Sequence, residues 1–121
     1  MRITNAHDGS KVGKELLVRG QLGAIQGDAY VWLLVRREDF QPLWWPQRRA
    51  VVRRGEWSGL VVFGGPQDID YKFDLAAVVV DEAAHRNLND YWTNAMGNGH
   101  WPPISVPTPR CAHQVKVTKT R

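Results

Sequence analysis

Few residues in this chain have types that do chemistry. There are four histidines, His7, His85, His100 and His113, and one cysteine, Cys111. No two histidines stand at a metal-ligand spacing, and no Cys/His cluster exists. Ser10, Ser58 and Ser105 come without a recognisable histidine partner. The chain has no G-x-S-x-G, no phosphate-binding loop and no dinucleotide fingerprint. A triad assembled only in space stays open, because triads are recognised by geometry and not by order. His113 lies on the apolar face of a strand-like run and reads as a satisfied core or edge histidine. His85 reads as exposed. Cys111, with no matched base, reads as inert core. Asp68 and Asp70 in "QDID", with Asp8 or Asp28 as helpers, offer a calcium site, against a solvated turn as the plainer reading. The expectation is therefore no enzyme, no cofactor and no bound metal.

Binding chemistry is better represented. Arg36-Arg37, Arg48-Arg49 and Arg53-Arg54 fall in one span with Phe40, Trp44 and Trp45. Basic residues interleaved with aromatic rings are what single-stranded nucleic-acid binders use. Adjacent strand residues point to opposite faces, so each pair puts about one guanidinium on a face. Glu38, Asp39 and Glu56 dilute the field, and charged strand ends also protect edges from pairing. Six tryptophans in 121 residues raise sugar stacking as a further option. Trp32 and Trp57 read as core, Trp92 lies on a helical stripe, and Trp101 caps one end. Of Trp44 and Trp45, alternation lets one point inward and leaves the other at least partly exposed. In "LWWPQRR", Pro46 reads as the end of a strand and Gln47 as a turn residue.

The elements that must position these residues are mostly strands, since the dominant period is two. Residues 1–4 form a short first strand. Glu15–Leu22 turns Leu16, Val18 and Leu22 to one face and Arg19 and Gln21 to the other. "AYVWLLVR" (29–36) is a central strand, "AVVR" (50–53) a short one, and "EWSGLVVF" (56–63) another. In 70–80, Tyr71, Phe73 and Leu75 point in, while Lys72 and Asp74 point out. Cys111–Thr118 is last. Gly, Asp and Pro clusters separate the runs. Residues 81–96 break the pattern: Ala84, Leu88, Tyr91, Trp92 and Ala95 form a helical stripe, with Asp81 as N-cap and Gly97 as stop. A proline-rich connection follows at 97–109.

The order of these features resembles a known family. "ITNAHDGSKVGKELLVRGQL" is similar to the opening of bacterial immunoglobulin-like modules: a short strand, an Asp-Gly turn, then a V-x-V-x-G strand. "YVWLLVRREDFQPLWWPQ" resembles their apolar strand and tryptophan-proline-glutamine corner. "GEWSGLVVFGG" and "FDLAAVVVDEAAHRNLNDYW" resemble the strand after it and the strand-to-helix join. The resemblance implies an all-β fold, an immunoglobulin-like antiparallel β-sandwich of six to seven strands, with one short helix crossing one end between the last two strands. It implies an accessory domain of bacterial signalling or defence proteins and brings no catalytic residues. Antibody-type domains pair a buried tryptophan with an inter-sheet disulfide; here Trp32 has no cysteine pair, which the architecture does not require.

The 121 residues suit one domain, 1–121, able to bury a core without staples. With 43% hydrophobic and 23% charged residues, the composition is globular. The net charge of +4, with eleven arginines among sixteen basic residues, permits a polyanionic partner without demanding one. No signal peptide is recognisable, and apolar runs such as Leu75–Val80 are far too short to span a membrane. The expected setting is cytoplasmic, either free-standing or as a domain of a longer protein. The expected function is a non-catalytic protein-interaction or self-assembly module, with Phe40, Trp44, Trp45, Arg48, Arg49 and Trp101 as the contact patch. Nucleic-acid or carbohydrate binding through the same patch is the alternative.

Overall fold

The period-two runs become strands, and the one helical stripe becomes a helix. The computed structural model describes residues 1–23, 30–106, 109 and 111–121. Among them lie β1 (Arg2–Ile3), β2 (Lys11–Val12), β3 (Glu15–Gln21), β4 (Tyr30–Arg37) and β5 (Trp45–Arg49). They are followed by β6 (Val51–Arg53), β7 (Glu56–Val62), β8 (Lys72–Val80), α1 (Glu82–Asn98) and β9 (Cys111–Lys119). The nine strands exceed the expected six to seven because β2 and β5 were not foreseen. They form a four-stranded sheet, β1-β3-β7-β6, and a five-stranded sheet, β2-β9-β8-β4-β5. The pairing is antiparallel except between β2 and β9, which is parallel and corrects the expectation of a purely antiparallel fold.

Two cores follow from the side-chain pattern. Between the sheets, Val18, Trp57 and Val61 meet Val31, Leu33, Val35, Phe73, Leu75 and Val115. Gly20 sits directly opposite Trp57 in the β3–β7 register, and a Cβ there would collide with the indole. The alternate residues of β4 and β8 make the second core: Trp32, Leu34, Ala76, Val78 and Val80 pack against Ala84 and Leu88 of α1. Strands apolar on both faces need cover on both. The helix supplies it, so α1 lies on the outer face of the five-stranded sheet rather than crossing one end. Burying Leu88 there contributes roughly 2 kcal/mol.

The helix begins as its sequence implies, with Asp81 Oδ1 accepting from Ala84 N at 2.8 Å. It ends later than expected. Gly97 is helical, and Gly99, at φ 72°, is the left-handed cap. The β6–β7 hairpin turns on Arg54 and Gly55, both at positive φ, as an arginine-glycine turn allows.

Several other expectations are corrected. Pro46 does not end a strand: it is buried within β5, an edge strand, where a missing N–H is tolerated. A register shift between Leu33 and Leu34 lies opposite. Gln47 is no turn residue; its Oε1 accepts from Val62 N at 2.8 Å and ties β5 to β7. Tyr71 is exposed, not inward. Asp74 faces outward from the sheet as expected, but it is fully buried beneath Arg36 and Lys116. Among the described residues no helix is long and apolar enough to cross a membrane.

Candidate functional site

A cleft of about 600 Å³ opens along β5, the edge of the five-stranded sheet. Its floor is apolar, made by Val35, Pro46 and Phe73. Four aromatic rings stand around it: Phe40, Trp45, Trp92 and Trp101. They meet as perpendicular pairs, Phe40–Trp45 at 4.9 Å and 72°, and Trp92–Trp101 at 4.8 Å and 66°. Edge-to-face contacts of this kind hold rings in fixed orientations. Gln47, Gln67, Asp68 and Arg37 supply the polar lining.

Each wall has a local cause. Phe40 closes one turn of 3-10 helix, Glu38–Phe40, that follows β4 directly. Trp45 opens β5 opposite Val35. Trp92 lies at the margin of the α1 stripe. Trp101 comes from the proline-rich connection, whose residues 101–104 are strapped to the aromatic surface. Trp45 Nε1 donates to Trp101 O at 2.7 Å, and Tyr91 Oη donates to Pro102 O at 2.7 Å. Trp44 and Ile104 exchange backbone hydrogen bonds at 2.8 Å each way, which fastens the far end of the strap. Burial pushes the Tyr91 hydroxyl up from its usual pKa, so it remains a donor at neutral pH.

Arg37 forms the charged wall. Its Nε and Nη2 reach both carboxylate oxygens of Asp39 at 2.6 and 2.8 Å, and Nη1 reaches Asp68 at 2.9 Å. The guanidinium also stacks over Tyr71 at 4.2 Å and Phe40 at 4.9 Å. The bidentate bond to Asp39 holds Arg37 firmly charged, and holds the Asp39 carboxyl below its usual range. Asp68 is buried, with its other oxygen on Gly65 N at 2.9 Å, and is not the solvated turn residue first expected.

The six residues expected to form a contact patch divide. Phe40, Trp45 and Trp101 line the cleft. Trp44 does not: it turns to the outer core and lies under Arg36, whose guanidinium is 3.8 Å from its ring. Arg48 stacks over Trp92 at 5.3 Å and Arg49 over Tyr30 at 5.1 Å, so both flank the aromatic surface without lining the cleft. Trp44 and Trp45 are both half-buried, so neither is the single exposed ring. Trp101 and Phe40 are the more exposed, each at 38%.

Trp92, Tyr91 and Gln67 belong to the site but not to the expected patch, and Arg37, raised only as half of an arginine pair for nucleic acid, joins them. The signal for Trp92 was its place at the edge of the helical stripe. Arg37 was signalled by the carboxylates that follow it in "RRED".

The remaining chemical residues are placed as follows. His113 Nδ1 accepts from Ile3 N at 2.9 Å, a satisfied edge histidine. His85 is not exposed: it stacks on Tyr30 at 3.9 Å, and its Nδ1 accepts from Trp32 Nε1 at 3.0 Å. Asp28 and the side chain of Cys111 lie outside the described residues. Among the described residues, no three His, Cys, Asp or Glu side chains converge as a cation site.

Comparison of the chain with protein-family models, with curated proteins and with solved structures returned no match.

Proposed function

We propose that this chain is a non-catalytic recognition module of immunoglobulin-like type, which binds an extended segment of a partner protein in the aromatic cleft along β5. The observation that carries the reading is the strap. The chain's own Trp101-Pro102 lies on this surface, with its carbonyls held by an indole N–H and a phenol hydroxyl, and Ile104 beyond it makes a β-bridge to Trp44. Proline-bearing segments dock on aromatic-lined grooves in this manner, because an extended backbone offers outward carbonyls and loses little entropy on binding. The cleft beyond Trp101 continues the same chemistry with Phe40, Trp45 and the amide of Gln67. An accessory role in a bacterial signalling or defence system, in the cytoplasm, fits a module that only binds.

Nucleic acid fits this site less well. Arg36 and Arg37 are committed to Asp74, Asp39 and Asp68, and Arg48 and Arg49 lie on the chain's own rings. Among the described residues around the cleft, that leaves no continuous cationic track for a phosphate backbone.

The test is selection of random linear peptides on the immobilised protein. Enriched peptides rich in proline and aromatic residues are expected, with affinity falling at least about tenfold in Phe40→Ala and Trp101→Ala. Both positions are exposed enough to truncate without unfolding the chain. No enrichment, or binding indifferent to both substitutions, overturns the reading. Oligonucleotide binding that collapses with added salt, or glycan binding lost in Trp101→Ala, would replace it with one of the alternatives.

A further inference from the structure

The two sheets differ in how their outer faces are treated. The five-stranded sheet carries α1 and the strap. The four-stranded sheet has no covering element among the described residues, and its outward residues include Leu17, Leu60, Val51 and Val62, exposed at 48, 46, 61 and 40%. These four are neighbours. Leu17 and Leu60 are direct cross-strand partners in the β3–β7 register, Val62 pairs one step along with Glu15, and Val51 pairs with Ser58, itself opposite Arg19. An apolar group of this kind on an otherwise polar sheet marks an interaction surface.

We propose that this face pairs with the same face of a second copy of the chain. The argument for a second copy, and not an unrelated partner, is the charge pattern. Glu15 and Arg19 stand on β3 on the same face, one step to either side of Leu17. Among the described residues neither enters an ion pair within the chain. A two-fold axis lying between the faces, perpendicular to the strands and passing through the Leu17–Leu60 row, exchanges those two steps. Glu15 of one copy then faces Arg19 of the other, twice over. Leu17 and Leu60 meet their own counterparts, and Val51 falls beside Val62. A surface that complements itself under one rotation is what an isologous dimer requires, and near-aligned strands are a normal way for two sheets to pack.

Area sets the strength. Strands of two, seven, seven and three residues, about 4.8 Å apart and rising about 3.3 Å per residue, give a face of roughly 300 Å² per copy. Twice that falls short of the roughly 1,200 Å² at which stable interfaces begin, so the dimer is weak and transient. It shares Val62 with the cleft lining but uses neither Phe40, Trp92 nor Trp101, so the variants named for each surface separate it from the peptide-binding reading.

Sedimentation equilibrium of the intact chain over a concentration series tests this. A monomer–dimer equilibrium is expected. Leu60→Lys should weaken it at least about tenfold, with an unchanged circular dichroism spectrum showing that the fold is retained. Glu15→Arg alone and Arg19→Glu alone should each weaken it, because each sets like charges opposite one another, and the double swap E15R/R19E should restore it. A chain that stays monomeric up to millimolar concentration overturns the proposal. So does a dimer indifferent to Leu60→Lys and to the swaps, or one dissolved by Trp101→Ala instead.

Discussion

Asp74 anchors the part of the five-stranded sheet's outer face that α1 leaves uncovered. Its side chain is fully buried beneath Arg36 and Lys116, which flank it in register on β4 and β9. Arg36 Nε is 2.8 Å from Oδ2, and Lys116 Nζ is 3.4 Å from Oδ1, an ion pair without hydrogen-bond geometry. Burial pushes the Asp74 carboxyl up, but Arg36 and Lys116 together outweigh it and hold it below the usual carboxylate range. Breaking such a pair leaves an uncompensated charge, so Asp74→Asn should cost about 3 kcal/mol in urea unfolding. Because the folded pKa is depressed, the carboxylate's contribution is complete above the unfolded value of 3.8 and is lost as pH falls below it. His85 acts in a higher window. Burial, then the nearby Arg49, lowers its pKa from 6.5, while Glu82 opposes and Arg86 assists. The unfolded chain takes up this proton before the folded chain does. Stability is therefore full above 6.5 and declines as pH falls through the folded value. The melting temperature should drop between about pH 7 and pH 5, and His85→Asn should flatten that slope while melting lower at neutral pH. Neither residue was legible in advance. Alternation places Asp74 on the face opposite Phe73, but which faces are buried depends on a helix packed from outside. The partner of His85, Trp32, lies 53 positions away.

At the level of elements, α1 offers a direct comparison. Gly97 lies inside the helix with open space around it, whereas Gly99 holds the left-handed cap. Gly97→Ala should stabilise by about 0.5–1 kcal/mol through helix propensity and the unfolded chain. Gly99→Ala should destabilise by about 1–2 kcal/mol, because a Cβ at positive φ is strained. Thermal melts of the pair check this; if Gly97 were the cap, the signs would reverse. The helix itself was plain from its stripe, and the long strands from their alternation and punctuation. β5 was hidden by Pro46, which argues against a strand unless the strand lies at an edge, and edges are settled by the whole sheet. The separate fates of Trp44 and Trp45 depend on the strap: Trp44 pairs with Ile104, sixty residues on. The cleft was thus half visible, since Phe40, Trp45 and Trp101 stood out by type, while Trp92, Arg37 and Gln67 joined it only through folding.

Across the whole molecule, β4 and β8 belong to both cores, turning one set of side chains between the sheets and the alternate set toward α1. Damage to one core is therefore felt in the other. Leu88→Ala, a cavity in the outer core, should cost about 3 kcal/mol. Helical and strand signals should still unfold together in a single transition. Loss of the helix before the sheets, seen as two transitions, would show the cores to be uncoupled. The clustering of tryptophan has an optical consequence. Trp32 and Trp57 are sealed in the cores, whereas Trp44, Trp45, Trp92 and Trp101 all gather at the cleft or behind it. The emission should divide into a blue component beyond the reach of acrylamide and a redder, quenchable one. Occupation of the cleft by the proposed peptide would shift only the second, so the tryptophans themselves would report on it without a label.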